Sequence, residues 1–287
     1  MSLLKEELSL WAIITLYTMH YDHHLLIYDL PSERGDAFAF STTRQGGCST
    51  GAYASMNCTP YTGDDASCVQ RNQQQLCAIL PQQPIELVIP YQTHGTACLA
   101  VDDTYLAASP EQKQALLQGV DALVTRCTGI CLCVSTADCI PVIIYDKVHR
   151  AAAVVHAGWR GTAQCIVSRT LRQIQQLYGT EGSGCVACIG PGISLEAFET
   201  GDEVYNAFAA AGFPMTYISE WHPSTHKYHL DLPAANVIQL LDFGIPDTQI
   251  ELSHICTYSR HEEFFSARRL GIKSGRILSG IMLRPGD

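Results

Sequence analysis

Two apolar segments joined by a short polar stretch constrain the fold of this chain most strongly. IPVIIY and AAAVV have the composition of buried strands, and DKVHR between them is typical of a turn. The segment therefore predicts a β-hairpin. If its turn is centred between Lys147 and Val148, Cys139 lies directly opposite His156, and opposed residues have β-carbons roughly 4.5 to 5.5 Å apart. A thiolate and an imidazole at that separation can share one ion or one proton.

A third candidate ligand is His94, which follows the apolar run IELVIPY and can approach from a neighbouring strand. A thiolate with two imidazoles and an open fourth position is the ligand set of a catalytic zinc site. Alternatively, Cys139 is a nucleophile that His156 deprotonates without any metal. Each residue taken alone could equally be an ordinary buried side chain. The agreement of three residues in glycine-rich surroundings favours a functional site.

The order of apolar and amphipathic segments predicts an α/β fold. Strands are expected near residues 85–91, 97–101, 120–125, 130–134, 140–145, 151–156, 185–189, 251–257 and 277–283. Helices are expected near residues 66–80, 110–118, 163–178, 201–211 and 233–243. Because strands and helices intermix with at least one hairpin, and no linker divides the 287 residues, we expect one compact domain with a mixed sheet core and outer helices.

Composition excludes several classes of protein. A net charge of −10 and a pI near 5.5 leave no basic stripe to contact nucleic-acid phosphates. Thirteen cysteines without paired C-x-x-C motifs indicate free thiols in a reducing compartment, and therefore a cytoplasmic location. The stretch LSLWAIITLYTM at 8–19 follows two glutamates, lacks a cleavage site and is too short to span a bilayer, so we expect neither secretion nor a membrane partner.

Several longer motifs point to a known family. The strings QTHG, DALVT, ADCIP, HAGWRG, CIGPGI and CTYSRHEEFFSARRLGIKSGR strongly resemble the YfiH family, also called laccase-domain or polyphenol-oxidase-like proteins. Upstream, STTRQGGCSTGAYASMN resembles the first motif block of that family. The resemblance runs from about residue 38 to the end. It implies a YfiH-like domain at 38–287 with mixed sheets packed in layers, and it leaves 1–37 as an N-terminal extension with a first strand.

The resemblance also implies a ligand set and a reaction. In that family, zinc is held at the positions of His94, Cys139 and His156, the trio already reached from the hairpin. The implied reaction is phosphorolysis of adenosine or inosine, with adenosine deamination and methylthioadenosine cleavage as related activities. A nucleoside and phosphate are then the expected partners, and the oligomeric state stays open. Asp138, beside the ligand cysteine, is a candidate catalytic group, although a role in the turn or in orienting a ligand is more consistent with its position.

Two other functions compete with the nucleoside enzyme. A cysteine with two histidines is also the core of a blue-copper site, so a copper-dependent polyphenol oxidase is one alternative. The eleven histidines include no H-x-H pair, which we would expect for the coupled copper cluster of a laccase. The other alternative is a cysteine-dependent amidase in which Cys139 attacks the substrate. The resemblance gives this a concrete form, because some relatives are regarded as editing peptidoglycan precursors.

Arginines near glycines are candidate phosphate ligands. Arg44 follows the apolar run FAFSTT and precedes a Gly-Gly pair, and a guanidinium suits bidentate contact with phosphate oxygens. An ion pair with Asp64 or Asp65 is the competing explanation. Arg160 in HAGWRG is a second candidate, although the glycines there could serve only a tight strand-to-helix turn. Three arginines of the C-terminal motif are weaker candidates: Arg268, Arg269 and Arg276.

Overall fold

The computed structural model describes residues 19–30 and 35–285. Its strands are β1 (Met19–Asp22), β2 (Leu25–Tyr28), β3 (Ala37–Thr42), β4 (Glu86–Val88), β5 (Cys98–Ala100), β6 (Ala122–Thr125), β7 (Ile130–Thr136), β8 (Ile140–Asp146), β9 (Ala151–Ala157), β10 (Cys185–Ile189), β11 (Glu199–Thr200), β12 (Ser219–His222), β13 (Lys227–Leu230), β14 (Ile250–Leu252) and β15 (Ile277–Leu283). Its helices are α1 (Ala66–Ile79), α2 (Asp103–Ala107), α3 (Pro110–Leu116), α4 (Trp159–Ala163), α5 (Ile166–Tyr178), α6 (Asp202–Ala210), α7 (Met215–Ile218), α8 (Leu232–Asp242) and α9 (Ala267–Leu270).

The strands form two large mixed sheets and one small one. The first large sheet has the order β1-β2-β3-β15-β7-β4 and is antiparallel except where β4 joins β7. The second has the order β14-β10-β8-β9-β6-β5, with antiparallel strands at its centre and a parallel strand at each edge. A three-stranded sheet, β11-β13-β12, lies outside both.

Apolar side chains bind these elements into four layers. Leu76 of α1 packs with Phe40 on the outer face of the first sheet. Leu132 of the first sheet and Ile143 of the second belong to one buried cluster between the sheets. The outer face of the second sheet packs against α5 and α8 through residues such as Val155. Each fully buried aliphatic side chain contributes about 1.5 to 3 kcal/mol relative to exposure, so the layers form one cooperative core.

This architecture confirms the predicted α/β fold with mixed sheets in layers. All the expected strands and helices are present, most with ends within a few residues of the prediction. The expected strand at 251–257 is shorter, because β14 ends at Leu252. The expected helix at 163–178 begins earlier and is divided into α4 and α5. The segment HPSTHKYH, which has the composition of a loop, instead belongs to the hairpin β12–β13.

The register of the central hairpin differs from the prediction. His156 pairs with Pro141 rather than with Cys139, a shift of two positions. The turn is centred between Val148 and His149 rather than between Lys147 and Val148, and it holds four residues. The Asp146 carboxylate stabilises it by accepting two turn amides at 2.9 and 3.0 Å. A shift of two positions keeps a side chain on the same face of the sheet, so Cys139 and His156 still approach each other diagonally.

The N-terminal part of the described chain adds to the first sheet. Strands β1 and β2 extend that sheet beyond β3, which itself begins at Ala37. The division at residue 38 stays a prediction. Most of the stretch at 8–19 lies outside the described residues. Among the described residues, no helix is both long enough and apolar enough to cross a membrane.

One buried acid on β14 lacks the partners that usually accompany a buried charge. Glu251 is almost fully buried, its Oε1 has no partner among the described residues, and its Oε2 is contacted by the Cys188 thiol at 3.8 Å. Burial, followed by the negative charge of Asp29, raises the pKa of Glu251 to about 7, although the Cys188 thiol opposes the shift. The folded protein therefore holds a proton that the unfolded chain releases from about pH 4.5 upward.

We expect Glu251→Gln to remove a pH-dependent loss of stability. The raised pKa of Glu251 contributes to the free energy of unfolding. This contribution is complete below the unfolded pKa of 4.5 and is lost as the pH rises through the folded pKa of about 7. Relative to wild type, the variant should gain about 1 kcal/mol or more in unfolding free energy between pH 5 and pH 7.5, measured by urea denaturation. Glu181→Gln, at an exposed position, is the control and should show no such gain. Parallel pH profiles for wild type and Glu251→Gln would contradict the assignment.

Candidate metal centre and active site

The structure brings the three predicted ligands together. His94 lies in the loop between β4 and β5, Cys139 directly precedes β8, and His156 lies near the end of β9. One ligand atom from each lies within 4.8 Å of the others. His156 is buried, Cys139 is partly buried and His94 is exposed, so the cluster opens to solvent on one side. Within the described chain it is the one cluster of three or more such groups with metal-binding geometry.

The donor atoms of this cluster fit a metal ion. Nδ1 of His156 is hydrogen-bonded to the Asp121 carboxylate at 2.8 Å, which leaves Nε2 to face the other two candidate ligands. One sulfur and two imidazole nitrogens suit zinc or copper, and three protein ligands leave a position for a substrate atom. The cluster could therefore hold a metal ion and leave one coordination position open.

The Asp121 carboxylate organises the site. It accepts the amides of Thr93, His94 and Gly95 at 3.2, 2.9 and 2.8 Å, as well as the ring of His156. Burial opposes its ionisation, yet the hydrogen bonds from His156 and from the Gly95 and Thr93 amides hold the pKa of Asp121 below its usual value. One buried anion thus fixes both the QTHG loop and the imidazole ring.

Sequence reasoning did not identify Asp121, although a signal was present. The residue is a lone acid at the start of the apolar segment DALVT, and an acid that is buried in a strand needs several donors around it. Which donors surround it depends on two segments that are distant in sequence.

The Cys139 thiol and the His156 imidazole each shift the pKa of the other. Burial raises the pKa of Cys139, but the positive charge of His156 and hydrogen bonds from both histidines outweigh it and lower this pKa. Burial lowers the pKa of His156, but Cys139 and Asp121 together raise it. The pair therefore favours a thiolate beside an imidazolium. Metal binding requires the same thiolate and displaces the imidazolium proton.

Glycines of the HAGWRG motif allow close packing at the cluster. A β-carbon on Gly158 would lie 2.8 Å from Cδ2 of His94 and 3.1 Å from Sγ of Cys139. A β-carbon on Gly161 would lie 2.9 Å from the carbonyl oxygen of Gly95. All three distances are shorter than ordinary contacts, so these glycines allow the start of α4 to pack closely against Cys139 and the loop that carries His94.

The Asp138 carboxylate is already engaged. Oδ1 accepts the Thr257 hydroxyl at 2.7 Å, and Oδ2 accepts the Arg268 amide at 2.6 Å. Its main-chain oxygen accepts the Ile193 amide at 2.8 Å. These contacts connect the residue immediately before Cys139 to the loops at residues 193 and 257 and to α9, so the structure supports a role of Asp138 in positioning the cysteine. A direct role of Asp138 in catalysis stays a prediction.

The predicted anion ligands occupy different surroundings. Arg44 donates from Nε to the Ala54 carbonyl at 2.8 Å and from Nη1 to the His261 carbonyl at 2.6 Å. It does not pair with the nearby acids: Asp64 accepts from Asn57, and Asp65 caps α1. Arg44 therefore braces the first and last motif blocks against each other, while its Nη2 makes no hydrogen bond within the described part of the chain.

Two further arginines differ in how closely they are linked to the candidate ligands. Arg160 is exposed and lies over the ring of Trp159, 4.2 Å from the ring centroid. Arg276 is partly buried, which lowers its pKa, and the negative charges of Cys139 and Asp138 act in the opposite direction. Arg276 is thus the C-terminal arginine whose charge interacts with the cysteine. Its terminal nitrogens also donate to nearby main-chain carbonyls.

Comparison with known proteins places the chain in a family. Residues 38–284 match the family model described as "Multi-copper polyphenol oxidoreductase laccase". The chain belongs to this family. The match confirms the resemblance to laccase-domain proteins. The structure is also similar to YfiH from Bacillus licheniformis, with a TM-score of 0.85 and 29% identity over 93% of this chain and 99% of that one, which confirms the resemblance to YfiH.

Named relatives cover nearly the whole chain. A purine nucleoside phosphorylase from Bacteroides thetaiotaomicron is 57% identical over 91% of this chain and 97% of its own length. Adenosine deaminase RL5, from an unknown prokaryotic organism, is 42% identical over 85% of this chain and 92% of its own length. YlmD from Geobacillus stearothermophilus has a similar structure, with a TM-score of 0.85 and 29% identity over 94% of this chain and all of that one.

We expect Asp121→Asn to weaken metal binding while leaving the fold intact. The amide keeps the shape of the carboxylate but loses the charge that orients His156, and the loss of such a partner typically costs about 10- to 100-fold in metal affinity. Competition with a chelator for Zn²⁺, the predicted ion, measures the effect. Asp65→Asn is the control, because asparagine also caps helices and Asp65 does not contact the cluster. Equal affinities in the two variants would exclude this role of Asp121.

Proposed function

We propose that this protein is a zinc-dependent purine nucleoside phosphorylase, with adenosine deamination and methylthioadenosine cleavage as related activities. The observation that carries the proposal is the convergence of His94, Cys139 and His156 in a chain that is 57% identical to a purine nucleoside phosphorylase. The substrates are then a purine nucleoside and inorganic phosphate. The thirteen free thiols favour a reducing, cytoplasmic setting for this activity.

Zinc fits the donor set better than the copper of the family name. A laccase couples several copper ions, whereas the described chain gathers three ligands in one cluster. When bound, zinc would supply a Lewis acid that polarises a substrate atom or activates water. His94, Cys139 and His156 would hold it, and Asp121 keeps the His156 ring in the orientation that exposes Nε2.

The arginines supply the charge that phosphate requires. Phosphorolysis forms a bond between a phosphate oxygen and C1′ of the sugar and breaks the bond between C1′ and the purine. Arg276, whose charge interacts with Cys139, can hold a phosphate dianion near the cluster. Nη2 of Arg44, which makes no hydrogen bond among the described residues, can also donate to a phosphate oxygen. Arg160 would contribute only if its side chain left the Trp159 ring.

Deamination is favoured as a second activity by one specific relative. The adenosine deaminase RL5 is 42% identical to this chain in an alignment that covers 85% of it. Other zinc deaminases combine an H-x-E motif with P-C-x-x-C; this chain has no P-C-x-x-C motif, so the acid and base groups must differ. An amidase that uses Cys139 as nucleophile is the remaining candidate, because the thiol lies against the imidazole of His156.

We expect the zinc-loaded protein to release purine base from inosine and adenosine only when phosphate is present. Chromatography should detect free base and ribose 1-phosphate in equal amounts. Ammonia release from adenosine, assayed without phosphate, separates deamination from phosphorolysis. Base release that does not depend on phosphate would contradict a phosphorylase. A stoichiometric acyl adduct on Cys139 in intact-mass spectra, obtained with a muramyl amide substrate, would instead identify an amidase.

We expect Arg44→Ala to raise the KM for phosphate far more than it lowers zinc content. A hydrogen bond to a charged group contributes about 1.5 to 3 kcal/mol, or roughly 10- to 100-fold in affinity. Arg126→Ala is the matched control. Arg126 lies over the ring of Tyr178 much as Arg44 lies over the ring of Phe265, but it follows β6 at the opposite end of that strand from the cluster. If phosphate dependence is unchanged in an active Arg44→Ala protein, Arg44 is not a phosphate ligand.

A further inference from the structure

A second cavity lies on the helix side of the second large sheet. It has a volume of about 360 Å³ and is bounded by the loop after β10, the beginning of α8 and the loop after β14. Its volume falls within the usual range of small-molecule sites, roughly 300 to 1,000 Å³. None of the three candidate metal ligands lines it. Ile189 of its wall faces the helices, whereas His156 shares a face of its strand with Val154, which packs between the sheets.

The most informative group in this cavity is the Asp231 carboxylate. Only 6% of the residue is exposed. Oδ1 accepts the Ala234 amide at 2.8 Å and so caps α8, whereas Oδ2 has no hydrogen-bond partner in the described parts of the chain. Burial raises the pKa of Asp231, Glu196 raises it further, and His254 lowers it. Oδ2 is therefore free to accept a hydrogen bond from a ligand in the cavity, and such a bond would offset the cost of holding a carboxylate in a largely buried position.

The remaining lining defines the charge and shape of such a ligand. Two carboxylates, Asp231 and Glu196, line the cavity, whereas its lining contains no lysine or arginine. Glu196 is exposed at the rim, and the hydroxyl of Ser194 lowers its pKa, so it stays ionised. The walls are largely apolar, as with Ile193 and Leu252. An anion is disfavoured at this helix start, because Asp231 already occupies the Ala234 amide and adds negative charge.

We propose that this cavity binds a small organic cation, a primary amine or amidine with an apolar body, whose N–H groups donate to Asp231 while the body contacts the apolar walls. The charge of Glu196 attracts the same ligand at the rim. The cation is held by a charge-assisted hydrogen bond in a partly dry site, where such a bond is stronger than in water. This inference does not depend on the reaction proposed for the metal centre.

Hydrogen bonds connect the loops that line the cavity to the candidate metal centre. The Gly192 amide donates to the Ile255 carbonyl at 3.2 Å, and the Thr257 amide donates to the Gly192 carbonyl at 2.9 Å. Thr257 in turn holds Asp138, the neighbour of Cys139. A cation in the cavity would therefore contact the loops that position the cysteine from the opposite side.

Calorimetric titration of the full-length protein with benzylamine tests the proposal, with benzyl alcohol as the neutral probe of the same shape. We expect saturable binding of benzylamine and at least tenfold weaker binding of the alcohol. Asp231→Asn should weaken benzylamine binding by about 10- to 100-fold, because asparagine keeps the helix cap but loses the charge. Asp242→Asn, at the exposed far end of α8, is the matched control and should bind benzylamine like wild type.

Two results would overturn the proposal. One is equal affinity of wild type for the amine and the alcohol, which would show that charge has no part in binding. The other is unchanged benzylamine affinity in Asp231→Asn. If that variant does not fold, the comparison of the two probes on wild type decides the question alone. In either case NMR shifts of the Ala234 amide on titration should locate benzylamine at α8, and shifts confined to other regions would also contradict the proposal.

Discussion

The buried carboxylate of Asp121 is the interaction on which the site depends. It lies at the start of β6, next to β9, and receives three consecutive amides of the loop that carries His94. It also receives the ring nitrogen of His156. Because a buried charge is tolerated only with several donors, the loop and the ring have one arrangement that satisfies it. The ligands are thus positioned before any ion arrives, and the cost of ordering them falls on folding rather than on metal binding.

The second large sheet separates two chemical environments. On one side, near its junction with the first sheet, sulfur and imidazole donors form an open cluster. On the other side, acidic and apolar groups surround a cavity at the start of α8. Hydrogen bonds that Asp138 accepts from Thr257 and Ile193 connect the two. The motifs ADCIP and CIGPGI therefore share a structural role, which is to fix the beginning of β8, directly after Cys139.

The family description and the site chemistry emphasise different metals. The matching family model is described as a multi-copper laccase, while the relatives with high identity are named as nucleoside enzymes. Three ligands in one cluster are enough for a single catalytic ion. The partly buried Arg276 adds a positive charge that a phosphate substrate would use and that a phenol would not require. Local chemistry therefore favours the nucleoside enzyme.

The sequence by itself determined the approximate element positions, the α/β class and the candidate ligand trio, because apolar periodicity and short motifs are local properties. Only the tertiary structure decided how these parts meet. The register of the β8–β9 hairpin depended on Asp146 holding a four-residue turn, the role of Asp121 depended on a loop distant in sequence, and the contacts of Arg44 came from the C-terminal motif. The cavity at Asp231 likewise joins segments separated along the chain. A buried polar group is satisfied by whichever donors packing brings near it, and packing is set by the whole core rather than by neighbouring residues.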